Sequence, residues 1–161
     1  MQYKQRLMEC LILALETSYK TALDGAERAH LAATDKANIP ENKYDTLALE
    51  ASYLAEGYAK RAAECKASLN AVKNLGVVEY SQDDAICVGT FVSLVDQDNK
   101  ALSVFLAPVS GGVKFVFEEQ TIIVITQSSP IGKVLLGKFV DDEFEIGSGS
   151  SLKRYVISAI A

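Results

Sequence analysis

Glu41 and Asp45 stand four residues apart, a spacing that puts both side chains on one face of a helix. Asp35 precedes them on the far side of Pro40, where it could approach them around a turn. Clustered carboxylates are hard oxygen donors, the kind of ligand that magnesium takes. The same residues also read as plain surface charge, biased toward the start of a helix where acidic side chains meet the positive end of the dipole. The rest of the chain offers less. His30 is the one histidine, and no nucleophile or metal partner adjoins it in sequence. Cys10, Cys65 and Cys87 form a dispersed, odd set without metal-ligand spacing and read as reduced thiols. Gly111-Gly112 lacks a following Lys-Ser/Thr, so it is no phosphate loop.

The carboxylates fall between two stretches of helical periodicity. Leu7, Leu11, Ala14, Ser18, Ala22, Gly25, Ala29 and Ala32 recur at steps of three and four, which marks one face of a helix. The pattern resumes at Leu47, Ala51, Leu54, Tyr58, Ala62, Cys65, Leu69 and Val72. Between them, Pro40 cannot continue the first helix and disfavours helical geometry at Ile39. Asn38 is a plausible N-cap, with Pro40 in the first turn of the second helix. Residues 1–75 are therefore expected to form an antiparallel hairpin of two helices, each of about 33 residues and about 50 Å long. An antiparallel seam whose facing numbers add to about 76 pairs Leu7 with Leu69, Leu11 with Cys65 and Ala14 with Ala62. From Gly76 the period changes to two. Strands are expected over 85–95, 101–106, 113–117, 121–126, 144–146 and 155–160, with one short helix over 131–136. Periodicity alone describes residues 76–161 as an antiparallel sheet with one helix. The fold class is α+β.

Composition narrows the function classes. Residues 1–75 carry ten acidic and ten basic side chains, whereas residues 76–161 carry eleven acidic and six basic. An acidic second half argues against autonomous DNA or RNA binding, because phosphate backbones demand a basic surface. It suits a protein partner with a basic docking surface, or serves only solubility. No run of 18 apolar residues suggests a membrane span, and the first residues lack the pattern of a secretory signal. A cytoplasmic monomer is expected.

The run Ser128-Ser129-Pro130-Ile131-Gly132-Lys133-Val134-Leu135-Leu136-Gly137-Lys138, followed by Phe139-Val140-Asp141-Asp142-Glu143-Phe144-Glu145-Ile146, resembles the C-terminal signature of the GreA/GreB family of bacterial transcription elongation factors. The likeness extends to Asn38-Ile39-Pro40-Glu41-Asn42-Lys43-Tyr44-Asp45, which is similar to the family's tip motif "Asp-Leu-Ser-Glu-Asn-Ala-Glu-Tyr-Asp" with one residue missing after Asn42. The resemblance implies a coiled-coil arm followed by an FKBP-like domain. It implies RNA polymerase core as partner, with the arm in the secondary channel near the nascent RNA 3′ end. Glu41, Asp45 and Asp35 would then be the functional acids, with Glu41 and Asp45 as ligands to the polymerase's own Mg²⁺. Asn38, Asn42 and Tyr44 at the tip, and Ser129, Pro130 and Ile131 in the second half, would contact the partner. Such a protein is an accessory to polymerase rather than an enzyme, with no cofactor of its own, and stimulates cleavage of backtracked transcripts. Asn38 departs from the pattern, offering a neutral carbonyl where the family has a carboxylate. A factor that occupies the channel without promoting cleavage is the alternative, and an interaction module unrelated to polymerase is a second.

Overall fold

The computed structural model describes residues 2–34 and 46–161. Helices α1 (Gln2–Thr34) and α2 (Leu47–Leu75) come first. They are followed by β1 (Phe91–Asp96), β2 (Ala101–Ala107), β3 (Lys114–Phe117), β4 (Gln120–Thr126), α3 (Pro130–Leu135), β5 (Glu143–Ile146) and β6 (Lys153–Ile160). A single 3₁₀ turn, Gly149–Ser151, joins the last two strands. The class is α+β, with long helices first and a six-stranded sheet with a short helix after them. The chain divides into two compact units, one combining Met1–Ile12 with Ala71–Ala161 and the other spanning Leu13–Asn70. No helix among the described residues is long and apolar enough to cross a membrane.

In the helical unit α1 and α2 run antiparallel. Thr17, Ser18, Thr21 and Ala22 share a groove with Tyr58 and Arg61, while Leu23, Asp24, Ala26, Glu27 and His30 share one with Ala55, Glu56 and Ala59. Small side chains let the helices approach. Gly25 is buried, and a Cβ there would sit 2.7 Å from the Tyr58 ring, so glycine makes room for the aromatic. This fixes a register different from the expected one, which would place Gly25 opposite Ala51. The displacement is about seven residues, one heptad, and a heptad pattern superposes on itself after such a shift. Leu47 and Leu54, expected in the seam, are exposed. The second helix also starts later than expected. Thr46 precedes it in non-helical conformation, accepts the first helical bond from the Glu50 amide and donates its hydroxyl to Glu50 Oε1 at 2.7 Å. α2 therefore has 29 residues. Asn38, the expected cap, lies outside the described residues. The hydroxyls of Thr17, Ser18 and Thr21 donate to carbonyls four residues earlier, so these polar groups are satisfied within α1.

In the other unit the strand order is β3-β4-β2-β1-β6-β5. β2 and β4 are parallel neighbours, so the sheet is mixed rather than wholly antiparallel. Alternation records which face a side chain takes and is blind to the direction of the neighbouring strand. β3 makes the difference, because it lies at the edge and pairs only with β4, leaving β4 to run alongside β2. The expected strand over 85–95 begins only at Phe91; Ile86 to Thr90 form a turn closed by the Thr90 amide on the Cys87 carbonyl at 3.1 Å. Ile86 instead bonds through its backbone to Gly137 and Lys138. β2 is buried from Ser103 to Ala107 on both faces. One face holds Val92, Leu94, Val104, Leu106, Ile125 and Ile157 beneath Leu135 of α3. The other presents aromatic rings. Tyr3 packs edge-on against Phe91 and Phe117 at 6.2 and 5.1 Å, and Leu7, Met8 and Leu11 of the same helix are buried.

The β3–β4 hairpin turns on Glu118 and Glu119, with φ of 47° and 65°. Two consecutive positive φ values mark a type I′ turn, which favours Asn-Gly. Glu118 has an ion-pair partner in Arg6 at 3.2 Å, whereas Glu119 sits at the position where glycine belongs. Glu119→Gly is expected to raise stability by about 1 kcal/mol, read as a higher denaturant midpoint with an unchanged slope.

Candidate functional site

Of the residues singled out by sequence, Asp35, Asn38, Glu41, Asn42, Tyr44 and Asp45 lie outside the described residues. Ser129, Pro130 and Ile131 are described, and the structure gives each a local task. Ser129 is the N-cap of α3. Its hydroxyl accepts from the Gly132 amide at 3.1 Å and donates to the Thr126 carbonyl at 2.7 Å. This satisfies one of the free amides that every helix start presents. Pro130 occupies the first helical position, where its missing N–H removes nothing, and it is exposed. Ile131 packs against the core beneath the sheet. Gly132 closes the turn: a Cβ there would stand 2.0 Å from the Thr126 carbonyl oxygen, a contact no side chain can make.

The residues after α3 continue the same design. The Leu136 amide bonds to the Gly132 carbonyl, and Gly137 turns the chain with φ of 77°. The Gly137 amide then donates to Ile86 at 2.9 Å, and the Lys138 carbonyl accepts from Ile86 at 2.8 Å. Asp142 Oδ2 accepts from the Phe139 amide at 2.9 Å, which shapes the acidic turn before β5. Phe139 itself is 47% exposed and Leu136 38%, so apolar surface flanks Pro130's helix. Pro130, Leu136 and Phe139 are the exposed apolar residues of this run, among exposed polar ones that include Ser128, Lys133, Asp141, Glu143 and Glu145.

A second cluster was not foreseen. Lys4 is 3% exposed. Its Nζ donates to the Ala161 carbonyl and lies 4.7 Å from the centre of the Tyr80 ring and 5.8 Å from that of Phe105. Burial lowers its pKa to about 8, partly offset by the neighbouring Cys87 thiol. The Tyr80 hydroxyl donates to the Val88 carbonyl at 3.3 Å, and its pKa is raised to about 12, chiefly by burial and then by Cys87. Thr90, fully buried, accepts from the Cys87 amide at 3.2 Å. Tyr3, Lys4, Glu79, Tyr80 and Ala161 line a cavity of about 170 Å³. The sequence carried one trace of this cluster: Lys4 falls one turn before Leu7 and Met8, on a flank of the apolar stripe. The three cysteines are free thiols, and His30 sits exposed on α1. Among the described residues no group of acids, histidines and cysteines is placed to hold a metal.

No family model and no curated protein matches the chain. Among solved structures it is similar to the GreA factor homolog 1 (Gfh1) protein of Thermus thermophilus, at 20% identity over 98% of this chain and 94% of that one, with a TM-score of 0.38. It is similar also to Thermus aquaticus Gfh1, at 22% identity over 91% and 90% with a TM-score of 0.39. A third is the prokaryotic transcription elongation factor GreA/GreB from Nitrosomonas europaea, at 18% identity over 70% and 91% with a TM-score of 0.38.

Two measurements check this geometry. Gly132→Ala is expected to destabilise the protein by about 3 kcal/mol or more, because the obstacle is backbone and cannot swing aside. A wild-type denaturation midpoint in this variant would refute the close approach. The second concerns pH. Between about 8 and 10 the folded chain has released the Lys4 proton while the unfolded chain, with a lysine pKa of ~10.4, still holds it; stability therefore rises with pH. Between about 10 and 12 the folded chain keeps the Tyr80 proton that the unfolded chain loses, so stability falls. Denaturant titrations across pH 7 to 12 should show a maximum near pH 10, and Lys4→Met should remove the rising limb alone. A flat profile from 8 to 10 in the wild type would contradict the burial of a charged lysine.

Proposed function

We propose that the protein is a Gre-like regulator of bacterial RNA polymerase that carries the acidic residues Glu41, Asp45 and Asp35 into the secondary channel and stimulates cleavage of backtracked transcripts. One observation supports this reading above the others. Two long antiparallel helices flank the tip motif, and they are followed in the chain by the Ser-Pro-Ile-Gly run and its acidic strand. In this reading Glu41 and Asp45 supply oxygen ligands to a weakly held Mg²⁺ of the polymerase, and the metal activates a water for attack on the RNA phosphodiester. The protein contributes charge and position, while the polymerase supplies the rest of the active centre. Asn42 and Tyr44 contact the channel, and Pro130, with Ser129 and Ile131 beside it, belongs to the docking surface of the second half.

A second reading is favoured by Asn38. A neutral carbonyl at that position weakens attraction for Mg²⁺, and in a poorly solvated channel each missing charge counts for more than in bulk water. The protein then occupies the channel and slows polymerase without promoting cleavage.

The experiment uses purified polymerase halted in a backtracked state with labelled transcript. Added protein is expected to accelerate release of the short 3′ fragment, and Glu41→Gln to reduce that acceleration by about tenfold or more. An uncut transcript with slower elongation would assign the second reading. Failure of the tagged protein to retain polymerase core on co-purification would remove both.

A further inference from the structure

The cavity beside Lys4 has no part in the function proposed above, and its chemistry is distinctive. A lysine amine normally lies in water as a hydrated cation. Here the side chain is almost wholly buried, with the nitrogen over the rings of Tyr80 and Phe105 and donating to the Ala161 carbonyl, which also accepts from the Phe91 amide. An amine held in apolar, aromatic surroundings is nucleophilic near neutral pH, the condition that Schiff-base lysines exploit. The walls are supplied by Tyr3, Glu79, Tyr80 and Ala161, and the space is about 170 Å³. That volume corresponds to about five or six waters, so an occupant has only a few non-hydrogen atoms.

We propose that Lys4 is a site of reversible imine formation with small carbonyl compounds, such as a short aldehyde or 2-oxo acid, that enter the cavity lined by Tyr3, Glu79 and Tyr80. The lone pair of the neutral amine attacks the carbonyl carbon, and the carbonyl oxygen takes up a proton. The resulting carbinolamine loses the second nitrogen proton and its hydroxyl as water, leaving a carbon–nitrogen double bond. One amine and one aldehyde yield one imine and one water, with no oxidant or reductant consumed. Lys4 is suited to this by the low proton affinity that its burial imposes. Cys87 lies close enough to influence both Lys4 and Tyr80 electrostatically, and the Tyr80 hydroxyl is engaged with the Val88 carbonyl.

The test uses the full chain, glyoxylate as carbonyl probe and cyanoborohydride to trap the imine, with fragmentation mass spectrometry to locate each adduct. At pH 7.5 Lys4 is expected to label at least about tenfold faster than any other lysine side chain, since ordinary lysines with pKa ~10.4 are almost wholly protonated there. Its labelling rate should reach half its maximum near pH 8. Lys4→Arg is expected to abolish this fast adduct and leave slow labelling elsewhere unchanged. Should that variant fold poorly, the wild-type map decides alone. Unmodified Lys4 under conditions that label the exposed lysines would overturn the proposal, as would a rate that climbs without inflection through pH 10.

Discussion

The packing of the first turns of α1 against a ring-lined face of the sheet is the interaction on which the second-half unit depends. Tyr3 meets Phe91 and Phe117, and Leu7 and Leu11 are wholly buried. A six-stranded sheet with a single six-residue helix can cover only one of its faces from its own chain segment. The opposite face would leave Phe91, Phe105 and Phe117 to solvent, each worth about 1.5 to 3 kcal/mol on burial. The N-terminal turns remove them from water, so Met1–Ile12 belongs to the same compact unit as the strands. Lys4 is part of this solution. Its side chain is almost wholly buried there, with the nitrogen over the Phe105 ring and donating to the Ala161 carbonyl, which also accepts from the Phe91 amide.

The turn around Ser129 shows how a short sequence signature can be structural in origin. Serine, proline and glycine each answer a different demand. The strand β4 ends at Thr126, and the chain must reverse into a helix at once. The serine hydroxyl bridges the last strand carbonyl and the first free helix amide, proline presets the backbone angle, and glycine lets the helix backbone touch the strand end. Leu135 is thereby held over the sheet, and Gly137 and Lys138 are aligned to pair with Ile86. A run of this kind can resemble a family's signature and yet owe most of its residues to folding.

The helical unit obeys a different economy. Its buried residues are few and mostly small: Ala22, Gly25 and Ala62, with Leu15 and Leu69. Such a seam specifies orientation through close approach, with Gly25 and Tyr58 as the key pair, more than through hydrophobic mass. Low buried area per residue also implies local opening well below the global unfolding energy.

Read without coordinates, the chain already declares its class. The change of period near Gly76, the α3 turn and most strand positions are visible because side-chain alternation and capping chemistry are local. The acids around Glu41 were singled out by spacing alone and lie outside the described residues. The heptad offset between α1 and α2, the parallel pairing of β2 with β4 and the burial of Lys4 were not visible. Each depends on which distant segment arrives as neighbour: repeats one heptad apart look alike, a strand's pattern is the same whichever way its partner runs, and a lysine on a helix flank is buried or solvated according to what packs beside it. The sequence alone determined the elements and the faces they must bury; tertiary packing decided their registers, their partners and the environment of the Lys4 amine.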